Sequence, residues 1–329
     1  MPEAMENCDR NPYLFIVGCP RSGTTLLKRM LDAHPQIAIT RETHWITRYY
    51  RKRKGLTPEG MATSELIPKL FEYHRFPHLK VSRAELQSML RTEPPISYAD
   101  FVTGIFDLYG ERKGKPLVGD KTPGYVRSIP LLHSLWPETR FVHLIRDGRD
   151  VCLSVSKWRL VNYTLGHFRS YHEDPVTTAA LWWEWHVRSG QEGGMSLGPD
   201  LYHEVRYESL VAYPARECAA LCGLLNVSYD AAMLRFHEGR TQTGPGLSSN
   251  RSWLPPTPGI RDWRSQMCNE DLERFEAVAG DLLKELGYER AFPHPSPQAL
   301  EHAATIREAF AQDLRRRGQR SPWPQSAPR

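Results

Sequence analysis

The sequence predicts an α/β fold: a mostly parallel sheet flanked by helices on both faces, in a single domain with a helical insertion. Residues 13–17 (YLFIV) and 141–145 (FVHLI) are short, largely apolar runs, which are typical of parallel strands buried on both faces. A segment with helical spacing of apolar residues follows each run, and this alternation continues along the chain. With 329 residues, 40% of them hydrophobic, the chain is long enough for the core that such a fold needs.

The first half of the chain supplies further elements of this pattern. A helix is predicted over residues 24–33, because its apolar residues have helical spacing and Pro35 prevents its continuation. Strands are predicted at 37–39 and 117–119. Residues 50–116 are polar and interrupted by prolines, and we interpret them as an insertion that lies over the sheet.

The second half continues with a helix over 147–158 and a tryptophan-rich helix that contains Trp182, Trp183 and Trp185. A strand at 201–205 and helices at 214–225, 231–237 and 269–286 follow. Residues 239–259 are rich in Gly, Ser and Pro and are predicted to form a binding loop. We therefore expect an N-terminal extension at 1–12, one domain at 13–292, and a Pro/Arg-rich tail at 293–329 that holds a terminal helix.

Composition excludes several classes of protein. The formal net charge of +5 is mild and fits an anionic ligand without requiring nucleic acid. No apolar stretch is long enough to span a membrane, and the polar N-terminus has no apolar signal segment, so we expect a cytoplasmic protein. The six cysteines form no Cys-x-x-Cys pair, which favours reduced thiols over disulfides or a metal site.

A glycine-rich turn between the first strand and the first helix is the strongest motif. In GCPRSGTT (residues 18–25), the two glycines have the spacing of a Walker A loop, so the sheet is of the P-loop type. Thr24 occupies the position where that loop has lysine, and Arg21 supplies a cation within the loop instead. Backbone N–H groups, two hydroxyls and one arginine suit an anion smaller than a magnesium triphosphate.

The segment Pro20-Arg-Ser-Gly-Thr-Thr-Leu-Leu27 resembles the 5′-phosphosulfate loop of sulfotransferases that use 3′-phosphoadenosine 5′-phosphosulfate (PAPS). Its continuation to Thr43 is similar to the tyrosylprotein sulfotransferase branch and its bacterial relatives. The resemblance implies that the loop binds the donor through Arg21, Ser22, Gly23, Thr24 and Thr25. It further implies an enzyme that transfers the sulfuryl group of PAPS to a hydroxyl acceptor, without a metal.

A second motif lies at residues 141–154, where a strand delivers Arg146 and the following helix presents Ser154. An arginine and a hydroxyl make a good monophosphate clamp. In the family this element binds the 3′-phosphate of PAPS, so the resemblance implies that role for Arg146 and Ser154. Taken alone, Arg-Asp-x-Arg-Asp is equally typical of a salt-bridged helix start.

Three other positions follow from weaker matches. Val205-Arg-Tyr-Glu-Ser-Leu210 resembles the family segment whose tyrosine contacts the adenine side, which implies Tyr207; a buried aromatic is the alternative. Gly259-Ile-Arg-Asp-Trp-Arg264 resembles the segment that closes over the nucleotide, which implies Arg261. The family also has a serine in a comparable loop, here Ser248 or Ser249, of which we select Ser249.

Candidate catalytic residues are Glu42, Lys121 and Arg21. Glu42 stands where the tyrosylprotein branch has its catalytic glutamate, and a carboxylate in reach of a hydroxyl removes its proton. The alternatives are a glutamate paired with Arg41, and His44 as the base. Lys121, after a short strand, agrees with a family lysine and would reach the bridging oxygen of the leaving phosphate.

The predicted acceptor is a small-molecule, glycan or lipid-linked hydroxyl compound, with a peptide tyrosine as the alternative. Two other functions remain open. A P-loop small-molecule kinase or nucleotide triphosphatase would require the missing Walker lysine. A non-catalytic PAPS-binding relative would lack Glu42 or Lys121, and both are present.

Overall fold

A computed structural model describes residues 10–91, 93–238, 254–320 and 322–323. Within them the protein forms one five-stranded sheet with the order β2-β3-β1-β4-β5. The strands are β1 (Leu14–Gly18), β2 (Ile37–Thr40), β3 (Leu117–Lys121), β4 (Arg140–Ile145) and β5 (Tyr202–Arg206).

The α-helices among the described residues alternate with these strands in the predicted manner. They are α1 (Thr24–Asp32), α2 (Trp45–Arg51), α3 (Leu66–Glu72), α4 (Arg83–Met89), α5 (Tyr98–Lys113), α6 (Ile129–Leu135), α7 (Gly148–Ser156), α8 (Arg169–Glu173), α9 (Pro175–Gly194), α10 (Tyr207–Ala212), α11 (Pro214–Leu224), α12 (Trp263–Gln266), α13 (Asn269–Glu285) and α14 (Pro297–Arg316).

The chain divides into two compact units. The first comprises Met1–Gly18, Gly23–Leu144 and Glu192–Thr257. The second comprises Cys19–Ser22, Ile145–Gln191 and Pro258–Arg329.

Parallel pairing organises the sheet of the first unit. β1 pairs with β3 on one side and with β4 on the other, and β2 pairs with β3; all three pairings are parallel. Because side chains alternate along a strand, Phe15 and Val17 enter one core while Leu14 and Ile16 enter another. Helices α2 to α6 contribute to the first of these cores, and α1, α10 and α11 to the second. The prediction of helices on both faces is confirmed.

The insertion at residues 50–116 is helical and covers one face of the sheet, as predicted. Its longest helix, α5, buries Tyr98, Phe101, Ile105 and Phe106 in the core that holds Phe15. Gly114, in a left-handed conformation, ends α5, which is a common helix stop.

The second unit has its own core, formed by α7, α9, α13 and α14. Trp183 and Phe275 pack closely over Gly148, where a Cβ would lie only 2.4 Å from the indole. Phe310 of α14 stacks on Phe168 with ring centroids 4.9 Å apart. The predicted terminal helix is therefore part of this core.

One predicted helix is much shorter in the structure. Residues 231–237 form only a three-residue 3₁₀ helix, Ala231–Met233, which Asp230 caps by accepting a bond from the Ala232 N–H. So short a segment does not gain enough hydrogen bonds to offset the cost of nucleating an α-helix. Among the described residues, no helix combines the length and the apolar content that a bilayer crossing needs.

Gly18, at the end of β1, provides a test of the sheet. A Cβ at this position would lie 2.5 Å from the Leu144 carbonyl oxygen, and the residue has φ +152°. We expect Gly18→Ala to lower the free energy of unfolding by about 2–4 kcal/mol, because the backbone of β4 must shift. Gly114→Ala is the control: its φ is +63° but no atom lies within 4 Å, so about 1 kcal/mol is expected. Equal losses in urea denaturation would contradict the steric explanation.

Candidate active site

The glycine-rich turn leaves β1 in a conformation that few residues adopt. Gly18, Arg21 and Gly23 all have positive φ, at 152°, 78° and 99°. A positive φ is uncommon in residues other than glycine, and the exceptions concentrate at functional sites, which makes Arg21 notable. Within the second unit, the Ser22 N–H donates to the Cys19 carbonyl at 3.1 Å and closes the turn.

The residues that follow the turn suit an anion. No side chain caps α1, which begins at Thr24. The first N–H groups of a helix point outward and carry partial positive charge. Ser22 Oγ is buried and has no hydrogen-bond partner among the described residues. An uncapped helix start and an unsatisfied hydroxyl fit a phosphate or sulfate group.

In the second unit, two of the predicted side chains touch one another. Arg21 Nε donates to Ser154 Oγ at 3.1 Å. The Arg21 guanidinium also lies over the Trp158 ring, 5.3 Å from its centroid. The arginine of the turn and the serine of α7 are therefore in direct contact, and the indole lies against the guanidinium.

Arg146 is only 6% exposed and lies at the end of β4. Its guanidinium donates to Asp150 Oδ2 at 2.9 Å, while Asp150 Oδ1 accepts from the Trp263 N–H at 3.1 Å. Burial raises the pKa of Asp150, and the charge of Arg146 counteracts that effect. The salt-bridged helix start anticipated as an alternative is thus present, and it orients Arg146.

Arg149, which the sequence interpretation left without a function, is the most buried cation of this motif. It donates to both oxygens of Asp147 and, at 2.7 Å, to Glu276 of α13. Its guanidinium lies 3.5 Å from the centroid of the Trp263 ring. The ion pairs tie α7 to α13, and the ring contact with Trp263 adds the segment that contains Arg261.

In the first unit, the candidate base and the candidate lysine lie side by side. Lys121 Nζ donates to Glu42 Oε1 at 2.6 Å. Lys121 is the last residue of β3 and Glu42 follows β2, so parallel pairing brings both to the same edge of the sheet. Lys121 is 5% exposed. Glu42 does not pair with Arg41, which instead contacts His78 Nε2 at 2.9 Å.

Two more side chains contact the Glu42 carboxylate. Arg75 NH1 and His44 Nε2 both contact Oε2, the latter at 3.2 Å. Burial opposes ionisation of Glu42, but the hydrogen bond from His44 and the charge of Lys121 outweigh it and hold the pKa of Glu42 well below its usual range. Glu42 is therefore a carboxylate at neutral pH.

A buried polar network positions the loop that carries Glu42. Asp120 accepts from Thr40 Oγ1 at 2.9 Å, and Thr122 Oγ1 accepts from the Thr43 N–H at 2.9 Å. Burial raises the pKa of Asp120 to about 6, against the hydrogen bonds from these threonines. Tyr73 OH donates to the Glu42 carbonyl at 3.2 Å.

Three predicted cofactor residues remain. Tyr207 is buried at the start of α10 and packs against Gly23, where a Cβ would lie 2.4 Å from the ring. Arg261 is partly buried, and its Nε has no hydrogen-bond partner among the described residues. Ser248 and Ser249 lie outside the described residues.

The sequence interpretation missed the contributions of the insertion. Arg75 and Tyr73 both contact Glu42, yet neither lies in a recognisable motif. Only the tertiary contact identifies them, because more than thirty residues separate them from Glu42. The described part of the chain contains no group of three acidic, cysteine or histidine side chains that would hold a metal ion.

Comparison with known proteins supplies the family context. The profile described as sulfotransferase family matches residues 12–231, which run through parts of both units. Protein-tyrosine sulfotransferase 1 of Danio rerio is 26% identical over 295 residues, covering 87% of this chain and 74% of that protein. Nodulation protein NoeE of Sinorhizobium fredii is 26% identical over 306 residues, covering 85% of this chain and 67% of that protein.

Solved structures support the fold. The sulfotransferase domain of the Synechococcus olefin synthase aligns with a TM-score of 0.53 at 23% identity, covering 86% of this chain and 97% of that domain. The sulfotransferase domain from the curacin biosynthetic pathway aligns with a TM-score of 0.52 at 21% identity, covering 84% of this chain and 98% of that domain.

The buried Arg149 cluster leads to a stability prediction. Arg149→Met should lower the free energy of unfolding by about 3–5 kcal/mol, because Glu276 and Asp147 each lose buried charge-assisted hydrogen bonds. Arg274→Met, which removes an exposed pair with Glu270, should cost less than about 1 kcal/mol. Urea denaturation followed by tryptophan fluorescence measures both. A loss for Arg149→Met no larger than that for Arg274→Met would show that the buried pairs do not hold the second unit.

Proposed function

Because the chain belongs to the sulfotransferase family and is a PAPS-dependent sulfotransferase, we propose a specific role for each residue of its candidate site. Such an enzyme moves the sulfuryl group of PAPS to a hydroxyl acceptor. The observation that carries the proposal is the contact between Lys121 and Glu42 at the carboxyl edge of the sheet. Ligands of open α/β sheets bind at that edge.

The glycine-rich turn is proposed to bind the 5′-phosphosulfate. Ser22, Gly23, Thr24 and Thr25 would offer N–H groups and hydroxyls at the start of α1. Arg21 would place a guanidinium against the sulfuryl oxygens, where negative charge must be stabilised during transfer. The uncapped helix and the unsatisfied Ser22 hydroxyl support this role.

Arg146 and Ser154 are proposed to bind the 3′-phosphate. Asp150 orients the Arg146 guanidinium, and Arg21 already contacts the Ser154 hydroxyl. Tyr207 would contact the adenine, and Arg261 would add a cation whose Nε lacks a partner among the described residues. Ser249, which lies outside the described residues, would supply a hydroxyl.

Glu42 is proposed as the base. The acceptor oxygen forms a bond to sulfur while the bond from sulfur to the bridging phosphate oxygen breaks, and the acceptor proton passes to Glu42. The low pKa of Glu42 ensures that it is charged and ready to accept at neutral pH, although it makes the carboxylate a weak base. Lys121 would stabilise the charge that develops on the leaving oxygen.

The proposed acceptor is a small-molecule, glycan or lipid-linked hydroxyl compound, with a peptide tyrosine as the alternative. The chain is similar both to a protein-tyrosine sulfotransferase and to a nodulation protein, which supports keeping several classes of acceptor in the proposal. A cytoplasmic location is proposed as well, and the lack of any disulfide among the five described cysteines supports it.

Glu42→Gln tests the base. The amide keeps the shape but accepts no proton, so turnover should fall by about 10²–10⁴-fold while the affinity for 3′-phosphoadenosine 5′-phosphate changes less than about twofold. Transfer from ³⁵S-labelled PAPS and calorimetry measure the two quantities. Glu72→Gln, an exposed glutamate of α3, is the matched control.

Since Glu42→Gln also leaves Lys121 and Arg75 without a counter-charge, its thermal unfolding should be compared with that of Glu42→Asp. A folded Glu42→Gln variant with near-normal turnover would exclude Glu42 as the base.

Arg146→Ala tests the 3′-phosphate site. The loss of a charge-assisted hydrogen bond should weaken binding of 3′-phosphoadenosine 5′-phosphate by about 1.5–3 kcal/mol, and binding of adenosine 5′-phosphosulfate, which lacks the 3′-phosphate, much less. Arg315→Ala, on the exposed face of α14, is the control. Calorimetry that shows equal losses for both nucleotides would reject the assignment.

A further inference from the structure

A cavity of about 290 Å³ lies beside Glu42, wholly within the first unit. The loop after β2 forms one wall, and the insertion forms most of the others through the segment 73–80 and α5. Trp45, Tyr73 and Tyr109 line it with aromatic surface and are each less than a tenth exposed. Flat, rigid walls of this kind suit a ring.

Positive charge predominates around the cavity. Two carboxylates line it, and each already has a cationic partner: Asp32 contacts Lys28 at 2.9 Å, and Glu42 contacts Lys121 and Arg75. The lining cations and the one histidine are Lys28, Arg41, Arg75, His78, Lys80 and Lys113.

Three of these cations have no carboxylate to balance them. Within the described residues, Arg41, Lys80 and Lys113 make no salt bridge. Burial and then the charges of Arg41 and Arg75 lower the pKa of His78, which is a sign of crowded positive charge. Burial also lowers the pKa of Lys28. The charge and hydrogen bond of Asp32 oppose this effect, and the charges of Lys121 and Lys113 lower the pKa further.

We propose that this cavity binds the acceptor and selects a small hydroxyl compound that carries an anionic group of its own: a phosphate, a sulfate or a carboxylate on a ring. The inference rests on the proposed role of Glu42, which lines the same cavity and would accept the proton of the acceptor's hydroxyl group. Arg41, Lys80 and Lys113 would compensate the anion, and the aromatic walls would contact the ring. The volume matches a small molecule.

The inference gives the insertion a function. Tyr73, His78, Lys80, Tyr109 and Lys113 all come from residues 50–116, whereas Glu42 and Lys121 come from the sheet. Chemistry would thus be performed by the edge of the sheet, while the insertion would set acceptor specificity through charge.

Two matched phenols test the selection. 4-Hydroxybenzylphosphonate and 4-methylphenol share the ring and hydroxyl but differ in charge. We expect calorimetry on the full chain to show about tenfold tighter binding of the phosphonate. Lys80→Gln/Lys113→Gln should remove most of this advantage, because only Arg41 of the three proposed anion-binding cations remains, and should change the affinity for the neutral 4-methylphenol little. Lys52→Gln/Lys54→Gln, two exposed lysines that do not line the cavity, should retain it.

The titrations are made with and without 3′-phosphoadenosine 5′-phosphate. They measure the affinity for the two phenols directly and therefore test the anion selectivity without relying on turnover. Equal affinity for the two phenols would overturn the inference, as would an advantage that is undiminished in Lys80→Gln/Lys113→Gln or disappears in Lys52→Gln/Lys54→Gln. If the phosphonate binds more tightly as expected but Glu42→Gln retains full turnover, the assignment of Glu42 as the base is rejected and the anion selectivity of the cavity stands.

Discussion

Parallel pairing of β2, β3 and β1 is the constraint on which the chemistry of the first unit depends. Parallel strands end at a common edge, so the last residue of β3 and the loop after β2 lie side by side although about eighty residues separate them in the chain. Lys121 and Glu42 meet there at 2.6 Å. A shift of one residue in the register would turn Lys121 to the opposite face and break this contact.

Charge compensation at Glu42 involves a compromise. The cations Lys121 and Arg75, together with a hydrogen bond from His44, keep the carboxylate ionised inside a partly buried site, where an uncompensated charge would be costly. The same cations make Glu42 a weaker base than an exposed glutamate. The role proposed for Glu42 as the base is compatible with this weakness, because catalysis of such displacements rests mainly on orientation and on stabilising the charge that develops at the transferring group.

The motif at the end of β4 combines binding with stability. Its first arginine, Arg146, is oriented by Asp150, while its second, Arg149, is buried between Asp147 and Glu276. From the spacing alone the two arginines are indistinguishable. Both are buried, and their partners separate them: Arg146 pairs with Asp150 in the first turn of α7, whereas the hydrogen bonds of Arg149 join α7 to α13.

The sequence by itself determined the α/β class and the glycine-rich turn, since strand hydrophobicity and loop chemistry are local properties of a few consecutive residues. Its family resemblance also selected Glu42 and Lys121 as separate candidates, but their contact depends on the pairing of the strands. Tertiary structure alone decided that Arg75 contacts Glu42, that Arg149 is buried against α13, and that the insertion lines a cationic cavity. Those contacts join residues far apart in the chain, and the approach of two polar side chains depends on how the intervening helices pack, which local periodicity does not encode.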